Sequence, residues 1–393
     1  SGSGHALADP RASTRERFRP SAGGGPDGDS RVNTVPAVMR AALLTGHGGP
    51  DVIEVRNDVE VPRPKVGEVL IQVAACGVNN TDINTRIGWY SSEVRSATDD
   101  PSTPAVEAGG WGGALRFPRV QGADICGRIV AVGPEVSVSM VGARVLVDPW
   151  ILDPEVPEDR ERARFVGSEV DGGFAEFCVV PARNAHPIDS PLTDVELATF
   201  PCAATTAEHL LRDAEVGPGS VVVVTGASGG VGTCAVQLAA ARGARVIALA
   251  AQSKRDALLA LGADEVVDGR GESPGARIAA LGHRVDAVID VVGGALFGEL
   301  LPIIRQGGHY VTAGAIAGPI VEFDLRHLIY GDLTMRGSTV CPPDNFARVI
   351  DHIEAGRLQP VVAGSFALEE IGEAQAVFLE KRHVGNLVID LSA

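Results

Sequence analysis

The sequence predicts an α/β protein in which a mostly-β unit precedes a doubly wound parallel sheet. Two observations carry this reading: from Met39 onward short β-type runs are punctuated by Gly and Pro, and beyond Leu192 apolar strands alternate with helical segments at the interval of strand–helix–strand units. A third bounds the class: 393 residues, 45% of them apolar, suffice for two large domains, and no run approaches the ~18 uninterrupted apolar residues of a membrane helix.

Residues 1–36 open on Ser-Gly-Ser-Gly, which reads as a cloning remnant, and continue through Arg11, Arg15, Arg17 and Arg19 into a Gly-rich stretch. Too little apolar surface stands there to offset the entropy of ordering, so a disordered leader is expected. An Arg-rich organelle transit segment is the alternative, against which Asp9, Glu16, Asp27 and Asp29 count. The β-rich unit is expected over 37–191, with strands at Val69–Ala74, Asp124–Val132, Arg144–Val147 and Phe174–Val180. Tyr90–Phe117, dominated by Ser, Thr, Asp, Pro and Gly, interrupts it as a surface excursion placed to cover a site, and its Trp111 either covers an apolar substrate or anchors the excursion.

The parallel-sheet unit is expected over 192–342. Its strands are Val221–Val224, Arg245–Ala250, Glu265–Val267, Val285–Val291, His309–Thr312 and Leu333–Val340; its helices are Gly230–Arg242, Lys254–Leu261, one near Ala276, and Ala295–Ile304. Residues 343–393 add helices at Asn345–Ala355 and Leu368–Glu380 and a strand at Leu387–Leu391, expected to return to the first unit.

A net charge of −16 repels phosphate polymers, so nucleic acid is excluded as the main partner. The six cysteines are scattered with no CxxC pair, and read as reduced thiols of a cytoplasmic protein rather than as a disulfide framework or a zinc lobe.

Chemistry concentrates at Gly226-Ala227-Ser228-Gly229-Gly230-Val231-Gly232, between a four-valine strand and an Ala-rich helix. Glycines there let the chain turn tightly and let a pyrophosphate approach the backbone, while the helix N-terminus supplies N–H groups and partial positive charge. The end of the second strand, about 20 residues on, decides between dinucleotides. An acidic residue there would hold the ribose 2′-hydroxyl of NAD, but the chain offers Ser253, Lys254 and Arg255, which suit a 2′-phosphate, so NADPH is the expected cofactor. Lys254 and Arg255 can equally be solvated residues opening the next helix. Val292 and Gly293, then Gly314, Ala315 and Ile316, stand at C-terminal strand ends where a dinucleotide crosses.

These motifs, with Gly48-Gly49-Pro50, Cys76-Gly77-Val78-Asn79-Asn80-Thr81-Asp82, Gly122-Ala123-Asp124-Ile125-Cys126-Gly127, Asp171 to Glu176, Thr206-Ala207 and Val384-Gly385-Asn386, resemble the medium-chain dehydrogenase/reductase superfamily. The resemblance runs from about Arg40 to Asp390, and the branch it points to is that of zinc-independent quinone oxidoreductases and enone reductases. It implies a GroES-like catalytic domain, a Rossmann dinucleotide-binding domain, a cleft between them and a homodimer. It puts Asn79, Asp82, Asn84 and Tyr90 near the nicotinamide, Thr206 at the carboxamide and Asn386 over the cofactor. For Thr206 a hydroxyl satisfying its own helix is the alternative, for Asn386 a plain turn, and for Tyr90 a surface position in the excursion. Asn84 stands where many quinone reductases carry a Tyr, so Tyr90 is a substitute candidate for that role.

Zinc-dependent members place a Cys where this chain has Asn79 and a Gly-His-Glu triplet at Gly122-Ala123-Asp124. With those donors missing no metal is expected, since an improvised site from Asp82, Asp124 and His47 lacks supporting spacing. The reading is hydride transfer to a quinone or α,β-unsaturated carbonyl, with hydrogen bonds managing the developing charge. Carbonyl or alcohol dehydrogenase activity through a proton relay, and noncatalytic NADPH binding, are the alternatives.

Overall fold

The computed structural model describes residues 35–100, 109–110, 113–269 and 273–392; the leader through residue 34 and Trp111 lie outside the described residues. Among these, the β-rich half is built on β1 (Val38–Leu44), β2 (Ile53–Glu60), the long β3 (Glu68–Val78), helix α1 (Asn80–Ile87), β4 (Asp124–Val132), β5 (Arg144–Val147), β6 (Phe177–Pro181) and β7 (Ala185–Pro187). β3 alternates valine, leucine and isoleucine against both neighbours and is the centre of its sheet, pairing antiparallel with β4 and β6.

Helix α2 (Pro201–Asp213), started by proline in its first turn, leads into the second half. There β8 (Val221–Val224), α3 (Gly230–Ala241), β9 (Arg245–Leu249), α4 (Arg255–Ala260), β10 (Glu265–Val267), α5 (Pro274–Ala280), β11 (Val285–Asp290), α6 (Leu296–Leu300), β12 (Ile304–Thr312), α7 (Leu325–Gly331) and β13 (Thr334–Gly337) follow. The strands form a parallel sheet in the order β10-β9-β8-β11-β12-β13, so β8 and β11 flank the point where the winding reverses. Val222, Val223 and Val224 are buried, as a strand covered on both faces requires. Alanines and glycines of α3 let the helix lie close against it.

The last segment divides. In α8 (Asn345–Glu354) the buried Phe346, Val349, Ile350 and Ile353 share one face and pack into the core that also holds α2 and α3. β14 (Val362–Phe366), α9 (Ile371–Leu379) and β15 (Asn386–Asp390) instead join the β-rich half, β15 pairing antiparallel with β3 and parallel with β14.

The strands read from the sequence at Asp124–Val132, Arg144–Val147, Val221–Val224 and Glu265–Val267 are present at those bounds. β12 begins earlier than expected, at Ile304, and β6 starts at Phe177 rather than Phe174. The sequence reading did not foresee α1. Its start is nevertheless spelled out by Asn79 and Asp82, whose carboxylate accepts from the backbone N–H of Asn79 (2.8 Å) as the third residue of a capping box.

Candidate active site

The loop after β8 fits a dinucleotide pyrophosphate. Gly229 caps α3 without any side-chain acceptor, leaving the helix N-terminus open. Gly226 has φ +55, and a Cβ on Gly232 would lie 2.2 Å from the carbonyl oxygen of Gly226, so the turn closes only with glycine there. A Cβ on Gly229, by contrast, would meet only Gly226 O, at 3.5 Å, and would otherwise stand in open space.

A cavity of about 370 Å³ lies over this loop. Of the residues read from the sequence as cofactor-binding, Gly226, Ser228, Gly229, Gly230, Val231, Gly232, Lys254, Val292, Ile316 and Asn386 line it. Ala227 is buried, and it, Gly293, Gly314 and Ala315 do not line the cavity. Ser253 and Arg255 are exposed and off the cavity wall, Arg255 facing Asp256 at 3.9 Å, because the chain turns into α4 at that point. Thr206 donates to the carbonyl of Cys202 (2.8 Å), one turn back in its own helix, and does not line the cavity.

The strand ends are fixed by one buried carboxylate. Asp290 accepts from the hydroxyls of Thr225 and Tyr310 and from the N–H groups of Val292 (2.9 Å) and Gly293 (3.0 Å), tying the ends of β8, β11 and β12 together. Ala317 N–H donates to Val292 O (2.8 Å), joining the two loops that follow β11 and β12.

Lys254 donates to Ser228 Oγ (3.0 Å) and to the carbonyls of Lys381 (2.9 Å) and His383 (2.7 Å), so it clasps the segment leading into β15. Lys381 and His383 also line the cavity, and sequence reasoning missed them. Their signal was the basic run Lys381-Arg382-His383 just before Val384-Gly385-Asn386. Lys381 Nζ lies 3.8 Å above the Phe378 ring and 3.3 Å from Asn80 Oδ1, and burial pulls its pKa down to about 8. Burial, with Lys381 and Lys254 nearby, also lowers that of His383.

Of the four catalytic candidates, Asn79 lines the cavity. Its Nδ2 donates to Asp124 Oδ2 (2.6 Å), whose other oxygen accepts from the Cys202 N–H. Asp82 faces the backbone, accepting from the N–H groups of Asn79 and Gly122 (3.2 Å). Tyr90 shares hydrogen bonds with the Asn84 and Thr81 side chains, and burial pushes its pKa up to about 12. His47 is held by the carbonyl of Thr85 (3.0 Å), away from Asp82 and Asp124, and the described residues contain no cluster of three His, Cys, Asp or Glu side chains able to hold a metal.

The comparisons with known proteins agree with this architecture. Residues 65–190 match the alcohol dehydrogenase GroES-like domain family and 230–355 the zinc-binding dehydrogenase family. An NAD-dependent alcohol dehydrogenase of Sulfurisphaera tokodaii is 30% identical over 86% of this chain and 95% of its own length. The chain belongs to the medium-chain dehydrogenase/reductase superfamily. A quinone oxidoreductase of Lama guanicoe is 30% identical over 86% of this chain and 92% of its own. A solved structure of an alcohol dehydrogenase candidate from Sinorhizobium meliloti 1021 is 43% identical, with a TM-score of 0.83 over 91% of this chain and 98% of that one. This superfamily member is an oxidoreductase working with a nicotinamide cofactor.

Two outcomes are expected. Gly229→Ala should keep the thermal midpoint of the parent while weakening NAD(P)H binding at least about tenfold, because its methyl fills the anion space; Gly232→Ala should lower both, read by fluorescence titration and thermal unfolding.

Burial also raises Asp82 to about 7 and Asp124 to about 6. Both folded-state values exceed the unfolded one near 4, so their contribution to stability is full below about pH 4 and is lost as pH rises through about 6 to 7. In urea unfolding, Asp124→Asn should therefore reduce the fall in stability between about pH 5 and pH 8 by an amount on the order of 2 kcal/mol. Equal slopes for variant and parent would refute this.

Proposed function

We propose that the chain is an NADPH-dependent, zinc-independent oxidoreductase that reduces a quinone or an α,β-unsaturated carbonyl. The observation that carries the zinc-independent part is the Asn79–Asp124 pair: where zinc-dependent relatives hold metal ligands, an amide and a carboxylate are bonded to each other at 2.6 Å, and Ala123 brings no donor atom. The bound nicotinamide supplies hydride. The chain's own groups then have to hold the acceptor and manage the negative charge left on its oxygen. Asn79 stands on the cavity wall for the first task. Tyr90, with its pKa pushed up to about 12, stays protonated at neutral pH and serves as a hydrogen-bond donor, with Asn84 and Thr81 fixing its hydroxyl.

NADPH is supported by what stands beside the adenosine end. Leu249, Ala250 and Ala251, not a carboxylate, line the cavity at the end of β9, and Lys254 and Lys381 line the same cavity as positive charge for a phosphate. The relatives named as NAD-dependent alcohol dehydrogenases favour the second reading, reversible alcohol oxidation. NADPH and NADH consumption against a quinone, an enone and a saturated ketone, with product analysis and elemental analysis, separates the two. A saturated ketone from the enone, preference for NADPH and no zinc are expected. An allylic alcohol, or stoichiometric zinc whose chelation stops turnover, would sink the proposal.

The proposed homodimer is supported by a surface at the open edge of the parallel sheet. Beside the edge strand β13, Ile320, Leu325, Ile329 and Tyr330 are exposed, Tyr330 at 77%. Light scattering should give twice the chain mass for the parent and the single-chain mass for Ile329→Asp combined with Tyr330→Asp.

A further inference from the structure

Thr98 belongs to the excursion that interrupts the β-rich half, a segment for which the family resemblance supplied no motif. The excursion is pinned where Trp89 Nε1 donates to Ser96 O (3.1 Å) and where Val94 is buried. Thr98 reaches across to the parallel-sheet half, its N–H donating to Ile316 O (3.0 Å). The residue is 4% exposed, and its Oγ1 is buried without a hydrogen-bond partner among the described residues. It lines the same cavity as Val291, Val292, Ile316 and Ala317. A buried hydroxyl without a partner is costly, and one on the wall of a ligand cavity is most simply satisfied by the ligand.

Topology says which part of the ligand arrives there. The pyrophosphate crosses the loop after β8, the adenosine half lies toward β9 and β10, and the nicotinamide half therefore lies toward the ends of β11 and β12, where Thr98 stands. On that wall the carbonyls of Val292 and Ile316 already accept from Ala317 and Thr98 N–H, and Thr206 donates its hydroxyl within its own helix. The nicotinamide carboxamide brings an amino group that needs an acceptor. We propose that Thr98 is a specificity-determining residue for the cofactor, its Oγ1 accepting a hydrogen bond from the carboxamide NH₂. This rests on the nicotinamide reading of the cleft.

The test uses the full chain, Thr98→Val and Thr98→Ser, with Kd and KM measured for NADPH and for its reduced 3-acetylpyridine analogue, in which methyl replaces the carboxamide amino group. The parent should favour NADPH. Thr98→Val should lose about fivefold in NADPH affinity and nothing toward the analogue, while Thr98→Ser keeps the parent's discrimination. Should the Val variant not fold, Thr98→Ala serves as the hydroxyl-free variant. Equal weakening toward both cofactors, no weakening toward either, or a change confined to the KM of the hydride acceptor would overturn the proposal. Absence of NADPH and NADH binding to the parent itself would overturn the cofactor reading as well, and fluorescence titration of the parent tells the two failures apart.

Discussion

The cleft exists because the end of the chain is bonded to the phosphate loop. Gly385 N–H donates to Ser228 O (2.9 Å), Gly229 and Gly385 form a parallel bridge, and the Asn386 side chain stands against Gly230. The next residues, as β15, run antiparallel to β3 in the centre of the other sheet. One strand thus touches the loop that holds the cofactor at one end and the core of the catalytic half along its length. Lys254 reinforces the joint by donating to two carbonyls of the same segment. A lysine in that place does two things at once: it fixes loop geometry through hydrogen bonds and leaves its charge beside the anion site. The sequence reading assigned Lys254 only the second.

Beneath the loop the same economy recurs at a buried carboxyl group. Asp290 is 1% exposed, and its carboxyl group is surrounded by two hydroxyls and two backbone N–H groups, which is how a polar side chain is accommodated in the interior of a parallel sheet. Because those donors come from three neighbouring strands, the hub sets where the loops after β8, β11 and β12 begin. The cavity wall that Val291 and Val292 present is therefore positioned from below, by Thr225, Asp290 and Tyr310, which do not line the cavity.

Much of this was legible in the sequence and part of it was not. Val221 to Gly232 announced a strand, a turn and a helix because each residue's local preference agrees with its place in the fold. Val384-Gly385-Asn386 was readable as a motif, but not the contacts that make it a joint, since the hydrogen bond between Gly385 and Ser228 spans most of the second half of the chain. Helix α1 was hidden because Asn79 and Asp82 read as chemistry, whereas the structure gives Asp82 to the backbone N–H groups of Asn79 and Gly122. Thr98 carries no sequence signal at all. It is one hydroxyl in a stretch rich in Ser and Thr, and the bond from its N–H to Ile316 O, its place on the cavity wall and its unpaired Oγ1 among the described residues single it out only in the structure.

The Asn79–Asp124 pair shows how a site can keep its shape while changing its chemistry. β3 and β4 pair with Gly77 opposite Asp124, which brings the carboxylate to the start of α1, where Asn79 stands. A cation held there would stabilise ionised ligands. With an amide as partner instead, the stabilising groups are neutral donors, Asn79 Nδ2 and the Cys202 N–H, and burial holds the pKa of Asp124 near 6. The amide is also oriented by this bond: with one Nδ2–H turned to Asp124, its second N–H and its oxygen are left for other partners. Such a wall offers one amide N–H to a substrate carbonyl, and in the proposed mechanism the protonated Tyr90 is the second donor for a developing enolate.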